Sequence, residues 1–283
     1  MLLKKILVKC AIAVIGITPL FAQQSAWNYT AYEKAMSESG RRIGAMDEKT
    51  FLAVQERKQQ SIEEIKAMLR RNFGYVDPSV IKAFEEIPRE YFAYNYESER
   101  NLGQSAYEVP AREWKIGYGS VLTDYLMQAY MTQRCKPKPT DVSLEIGTGS
   151  GFQSSLLSRI VKKAYTIEII TALGDMVMNI FTPLGLSNVD SRVGDGFFGW
   201  PEVEGGFDII LVTAQAPFVP PALLAQLKKG GRMIIPIGQP WKPQFLYIYT
   251  KDAQGKVHSQ RDVSTLFIPM TGQIQTPPPR PKS

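Results

Sequence analysis

Beyond position 139 the chain alternates short runs of β-branched and other apolar residues with segments whose apolar positions recur every three or four residues. That alternation predicts strands separated by amphipathic helices. The strands fall at Val142 to Ile146, Ala164 to Glu168, Val189 to Val193, Phe207 to Thr213 and Arg232 to Ile237. A β-helix-β order of this kind predicts a parallel sheet. Phe152, Leu156 and Ile160, flanked by Leu157 and Val161, give the first intervening helix one apolar stripe. A second helix is expected from Pro221 to Lys229, with proline in its first turn, lysines in its last and Gly230-Gly231 beyond. Phe245 to Thr250, a turn at Asp252 to Gly255 and an extended run ending Leu266-Phe-Ile-Pro-Met270 predict an antiparallel hairpin closing the sheet.

Before position 139 the pattern is helical. Trp27 to about Asn72 is rich in helix formers, and Ser61-Ile-Glu-Glu64 reads as a capping box opening the helix that runs through Met68 and Leu69. Ser79 to Glu86 forms a further helix that stops before Pro88. Residues 94–120 carry glycines, aromatics and Pro110 with little periodicity, which suggests a structured loop covering something. Helical spacing resumes from Leu122 to Arg134. The resulting division is a helical lead-in at 23–60, a main domain at 61–272 and a disordered proline-rich tail at 273–283.

The first 22 residues read differently. Three lysines by position 9, an apolar stretch from Cys10 to Ala22 and polar Gln23-Gln24-Ser25 have the grammar of a signal peptide, so export is expected. The apolar stretch is too short to span a bilayer comfortably, and no stable membrane span is expected after cleavage. An uncleaved anchor, a buried N-terminal helix or a cytoplasmic chain are the alternatives.

Composition changes this picture little: 44% hydrophobic and 21% charged residues are those of an ordinary globular protein. The formal charge of +6 is inflated by Lys4, Lys5, Lys9, Arg280 and Lys282 at the two ends, and no basic run interleaved with aromatics is present, so nucleic acid binding is not expected. Removal of the leader would leave Cys135 as the one cysteine, without a disulfide partner. The single histidine, His258, sits where a hairpin turn runs into a strand. That inventory excludes a Ser-His-Asp hydrolase and argues against a metal site. Chemistry is left to carboxylates, hydroxyls, backbone donors and a cofactor.

The informative stretch is Val142-Ser-Leu-Glu-Ile-Gly147-Thr-Gly149-Ser-Gly151-Phe152, a strand, a glycine loop and a helix start. In a dinucleotide fingerprint the third glycine would fall at position 152, where this chain has Phe152, so a pyrophosphate cradle is disfavoured. The next strand ends in Glu168, a carboxylate placed to accept hydrogen bonds from both hydroxyls of a ribose, or else a solvated strand-end charge. Val193-Gly194-Asp195-Gly196 ends a third strand where an adenine could lie, with Asp195 either an acceptor for its amine or a plain turn residue. Loop and acid together point to a nucleoside.

These residues and several further segments resemble the protein-L-isoaspartate O-methyltransferases over roughly Ser61 to Gly272. The carrying segments include Ile87-Pro-Arg-Glu-Tyr-Phe92, Ile116-Gly-Tyr-Gly119, Leu144 to Gly151, Gly194-Asp-Gly196, Val212-Thr-Ala214, Pro221 to Leu227, Ile235-Pro-Ile-Gly238 and Phe267-Ile-Pro-Met270. The resemblance implies an α/β fold, a doubly wound seven-stranded class I (Rossmann-like) methyltransferase sheet with an N-terminal helical cap, and S-adenosyl-L-methionine as cofactor. It implies cofactor contacts at Ser120, Val121, Leu122, Glu145, Gly147, Thr148, Gly149, Ser150, Gly151, Glu168, Asp195 and Gly196, and no metal. The implied activity is esterification of L-isoaspartyl and, in its wider form, D-aspartyl carboxylates in damaged proteins or peptides by a monomeric enzyme. The ester would then cyclise to a succinimide whose hydrolysis returns some normal aspartate.

One segment departs from the family. A Gln-(Thr/Ala)-Thr-Ile-Ser type stretch followed by a proline usually succeeds Ile-Gly-x-Gly, whereas this chain reads Gly119-Ser-Val-Leu-Thr123-Asp-Tyr-Leu126. Thr123 takes the serine's place and keeps a hydroxyl, as an active-site group, a helix N-cap or both. A methyltransferase of the same fold acting on another carboxylate or small molecule, and a cofactor- or protein-binding module without turnover, remain open at this point.

Overall fold

The computed structural model describes residues 27–275; the predicted leader and residues 276–283 of the tail lie outside the described residues. In chain order the elements are α1 (Tyr29–Glu38), α2 (Glu48–Phe73), α3 (Pro78–Glu86), α4 (Arg89–Phe92), β1 (Tyr94–Asn95), β2 (Arg100–Asn101), β3 (Trp114–Gly117), β4 (Ser120–Leu122) and α5 (Tyr125–Cys135). There follow β5 (Val142–Ile146), α6 (Phe152–Ser158), β6 (Lys163–Glu168), α7 (Thr171–Phe181), β7 (Val189–Val193), β8 (Phe207–Val212), α8 (Pro221–Gln226), β9 (Leu227–Ile237), β10 (Gln244–Lys251) and β11 (Val257–Thr265).

Seven of the strands form one sheet in the order β11-β10-β9-β8-β5-β6-β7. The five strands from β9 to β7 run parallel, and β10 and β11 add the antiparallel hairpin. The pleat divides the core between two faces. Ile209 and Leu211 of β8 pack with α6, α7 and the N-terminal helices, while Ile210 and Val212 pack with Leu144, Leu223 and Met233 on the other side. From β5 the sheet grows outward in both directions, so a crevice opens at the carboxyl ends of β5 and β8, where ligands of such sheets bind.

Four local predictions are corrected. The capping box at Ser61 is not used: Asp47 caps α2 by accepting from the Thr50 amide at 2.7 Å, and Ser61 is buried mid-helix with its hydroxyl donating to the Lys58 carbonyl. The apolar stripe Phe51, Val54, Ile62, Ile65, Leu69 carries the helix straight through the boundary expected at 60/61. The helix expected from Leu122 begins at Tyr125, because residues 120–122 pair with β3 and Asp124 supplies the cap through the Met127 amide. Thr123 is therefore not the N-cap. The helix α8 stops at Gln226 because buried Leu227 pairs with Phe207 and the Lys228 ammonium reaches Asp208 at 2.8 Å. The lysines and Gly230-Gly231 bulge within β9, whose register then resumes at Arg232 opposite Ile209. Finally, α6 ends at Ser158, and Ile160 and Val161 remain buried in the turn that follows.

The lead-in is part of the fold. Glu90, wholly buried, accepts from Trp27 Nε1 and Gln55 Nε2, each at 2.7 Å, and from the Tyr107 hydroxyl at 2.8 Å, so donors from three segments satisfy one carboxylate. Phe51 packs edge-on to Tyr29 and against Tyr32 with ring centroids at 6.0 and 5.5 Å. Phe51→Ala is expected to cost about 3–5 kcal/mol of global stability in urea denaturation, the range for truncating a buried aromatic. An unchanged unfolding midpoint would show that the lead-in helices are an appendage.

Candidate active site

The glycine loop leaves β5 at Gly147, whose φ of +94° already excludes most side chains. A β-carbon there would also sit 2.7 Å from the Thr213 hydroxyl, which donates to the carbonyls of Ile146 and Gly147. The loop is tied to β6 by the Gly147 amide, which donates to the Ile167 carbonyl at 2.9 Å, and closed on itself by Gly151 N to Thr148 O at 2.8 Å. Gly149, at φ +53°, faces the opposite wall, where a β-carbon would already touch the Ile116 side chain at 3.6 Å and the Ser120 hydroxyl at 3.8 Å.

Glu168 connects this loop to the end of β6. One carboxylate oxygen accepts from the Gly149 amide at 2.8 Å and the other from the Ile170 amide at 3.0 Å. Burial raises the pKa of this carboxyl above the ordinary carboxylate range, while the backbone amides of Ile170, Gly149 and Ile169 oppose the rise. Each oxygen retains acceptor capacity toward the cavity it lines. Behind the loop lies Glu145, 1% exposed, which accepts from the Thr166 hydroxyl at 2.9 Å; Thr166 in turn is 2.7 Å from the Thr148 hydroxyl. Desolvation pushes the Glu145 carboxyl up to about 8, and nearby Glu168 adds to the rise.

The opposite wall comes from the N-terminal cap. The β3–β4 hairpin delivers Ser120, Val121 and Leu122 to the cavity, followed by Thr123. Arg89, fully buried, fixes this segment: Nη2 donates to the Thr123 carbonyl at 2.7 Å, Nη1 to the Gln128 side chain and Nε to the Ala106 carbonyl at 2.9 Å. Its guanidinium is thus spent on neutral acceptors, and desolvation lowers its pKa to about 10. The Thr123 hydroxyl takes no part in these bonds, and Thr123 lines the cavity.

Together these walls enclose a cavity of about 450 Å³, a size that suits a nucleoside-containing ligand. It gathers Ser120, Val121, Leu122, Thr123, Glu145, Gly147, Thr148, Gly149, Ser150, Glu168 and Gly196 from the residues marked in the sequence. Two do not line it. Gly151 is the cap residue of α6, with φ +81°, and Asp195 spends its carboxylate on the amides of Phe197 and Gln273 at 2.9 and 2.7 Å. Asp195 thereby stiffens the Gly196 turn and fastens the segment through Gln275, which lines the cavity. Sequence reasoning passed over Arg89, Gln128, Thr213, Tyr118 and Trp241. Arg89 lay in a quoted segment, but its role needed the fold, because Thr123 and Gln128 are 34 and 39 positions away.

The donor set fits S-adenosyl-L-methionine on chemical grounds. A buried carboxylate suits the ammonium of its amino-acid end, a second suits a ribose diol, and the glycine loop lines the cavity with backbone that no β-carbon screens at Gly147 and Gly149. His258 stands elsewhere, 2.8 Å from Asp252 on the β10–β11 hairpin. Cys135 ends α5, buried, with its thiol pushed up to about 12 by desolvation.

Known proteins give the same indication. The sequence model of the family described as Protein-L-isoaspartate(D-aspartate) O-methyltransferase (PCMT) matches residues 59–275. Protein-L-isoaspartate O-methyltransferase 1 of Nitrosospira multiformis is 43% identical over 194 residues, which are 69% of this chain and 79% of that protein. Protein-L-isoaspartate O-methyltransferase 2 of Syntrophobacter fumaroxidans is 37% identical over 236 residues, 83% of this chain and 92% of that one. A solved protein-L-isoaspartate O-methyltransferase superposes with a TM-score of 0.64 at 26% identity, over 75% of this chain and 67% of the other. A Plasmodium falciparum structure of the same description, in complex with S-adenosyl-L-homocysteine, gives a TM-score of 0.59 at 21% identity over 74% of this chain and 97% of that one, a likeness of fold.

The raised Glu145 pKa has a measurable consequence. A carboxyl whose folded pKa exceeds its ordinary value contributes stability in full below the ordinary range and loses it as pH rises through the folded value, here about 8. Glu168 acts in the same direction. The ligand-free chain is expected to lose melting temperature between about pH 5 and about pH 8.5, and Glu145→Gln to flatten most of that loss. Parallel curves for the two proteins would show that Glu145 is not held protonated.

Proposed function

This chain belongs to the protein-L-isoaspartate(D-aspartate) O-methyltransferase family, and on that premise we propose that it transfers a methyl group from S-adenosyl-L-methionine to the α-carboxylate of L-isoaspartyl residues in damaged proteins. The observation that carries the reading is one cavity lined at once by the glycine loop, by Glu145 and Glu168, and by the Thr123 segment. When bound, the cofactor supplies a methyl group already activated on a sulfonium.

The chain's own residues then have a limited task. An α-carboxylate, with pKa about 3.3 to 3.7, is ionised near neutrality and needs no general base. Glu168 and Glu145 would hold the nucleoside and ammonium ends of the donor, with the glycine loop lining the same cavity. The Thr123 hydroxyl orients the incoming carboxylate, and Arg89 holds the Thr123 backbone in register with Gln128. Ile268, Pro269 and Met270 close the apolar side of the cavity and exclude water. Alignment of this kind supplies up to about 7–11 kcal/mol in favourable systems. The neighbouring peptide nitrogen then attacks the ester carbonyl and expels methoxide, which leaves as methanol with the amide proton, giving a succinimide whose hydrolysis returns some aspartate; this is repair.

The altered segment around Thr123 favours a second reading, in which another carboxylate is the acceptor. The N-terminal lysines and apolar stretch support export, which N-terminal sequencing of the native protein would test. Among the described residues, no helix is long and apolar enough to cross a membrane.

Labelled methyl is expected to enter an isoaspartyl peptide and not its aspartyl counterpart. Thr123→Val is expected to lower kcat about ten- to a hundredfold, the worth of a positioned hydrogen-bonding group, while S-adenosyl-L-homocysteine affinity stays unchanged. Undiminished turnover would remove Thr123 from the mechanism, and transfer to a different carboxylate alone would establish the second reading.

A further inference from the structure

Two aromatic side chains at the cavity have no account in the chemistry above. Trp241 is 73% exposed and Tyr118 39% exposed, yet both line the cavity, which places them at its mouth. Among the described residues the other exposed aromatics, Tyr75, Phe198 and Phe218, stand off it. Each of the two sits on a left-handed backbone, with φ of +60° at Trp241 and +53° at Tyr118. Side chains avoid that region, and large apolar ones avoid water. Neither choice serves folding, and such strain collects where ligands are gripped.

Both tips are held stiffly. Trp241 occupies the third position of a turn closed by Lys242 N to Gln239 O at 3.3 Å, with Pro240 before it, a place where such turns normally carry glycine. The turn's base is anchored by Gln215 Nε2 to the Gly238 carbonyl at 2.8 Å and by paired bonds between the Gln244 side chain and the Phe267 backbone. Phe267 leads directly into residues 268–271 of the cavity wall. Tyr118 crowns the β3–β4 hairpin, where its amide donates to Glu97 Oε2 at 3.0 Å. That hairpin also carries Ser120, Val121 and Leu122 into the cavity, so one aromatic comes from the cap and the other from the β9–β10 loop of the sheet.

Resting on the proposed methylation of isoaspartyl residues, we propose that Trp241 and Tyr118 are specificity-determining residues that grip the polypeptide flanking the isoaspartate, favouring an apolar or aromatic neighbour. A preformed aromatic pair takes up flat or apolar side chains at little ordering cost. The carboxylate reaches Thr123 within the cavity, and the chain on either side of it must cross the mouth.

The test is steady-state kinetics of the full chain on two isoaspartyl peptides that differ only in having leucine or glycine beside the damaged residue. Trp241→Ala and Tyr118→Ala are expected to raise KM about tenfold for the leucine peptide, with kcat and the glycine peptide's KM within about twofold, a loss of binding without loss of chemistry. Trp241→Phe keeps a ring and is expected to stay near the parent. Peptide added to the S-adenosyl-L-homocysteine complex is expected to shift tryptophan fluorescence to the blue in the parent and not in Trp241→Phe. Unmoved KM values in both alanine variants, or an equal rise for both peptides, overturn the proposal while the parent's turnover keeps the methylation reading intact. A tenfold loss of S-adenosyl-L-homocysteine affinity in Trp241→Ala overturns it by assigning the ring to the cofactor. A parent inactive on isoaspartyl peptides sinks the reading and this proposal together.

Discussion

The bond from the Gly149 amide to the Glu168 carboxylate, 2.8 Å long, is the constraint from which the site is built. It joins the turn after one strand to the end of the next, so the backbone before Gly149 and the acceptor on Glu168 are fixed relative to each other before any ligand arrives. A buried carboxylate is costly unless hydrogen-bonded, and two amides meet that need while leaving lone pairs for a sugar. Glu145, deeper and with fewer donors, is held close to neutral. A nearby cation would favour its ionised form, and an ammonium is the cation that the proposed cofactor carries.

The second wall obeys the same logic with opposite sign. Arg89 is a buried cation satisfied by the Thr123 carbonyl, the Gln128 side chain and the Ala106 carbonyl, so the segment facing the substrate is positioned by a charge that cannot leave. Next to it, Glu90 draws Trp27, Gln55 and Tyr107 together. Through these two neighbours the helices ahead of residue 59, where the family match begins, are tied to the cavity wall.

The sheet was legible in the sequence because short runs rich in β-branched and apolar residues alternate with helical segments; β5 and β7 were bounded to the residue, although β7 is a half-exposed edge strand carrying Asp190, Ser191 and Arg192. Misreadings fell where tertiary contacts outrank local preference. Leu227 left a well-punctuated helix because Phe207 offered it a strand partner, and Ser61 looked like a cap because its satisfaction by the Lys58 carbonyl is invisible in sequence. In the site, residues on the glycine loop and at strand ends were readable from spacing. Arg89 and Gln128 were not, since they meet the cavity through contacts more than 30 positions long, and Trp241 was hidden in a loop with no periodicity. Asp195 was marked by the same strand-end spacing, and its two oxygens hold the backbone beside the cavity.

The most direct test of the central claim is calorimetric titration of the folded chain with S-adenosyl-L-homocysteine, beside Glu168→Ala. The account predicts one site per chain, with affinity reduced at least about tenfold in the variant, as expected for removing a charged acceptor shared by two hydroxyls. Absence of binding to the folded parent, or equal affinity in the variant, would contradict it.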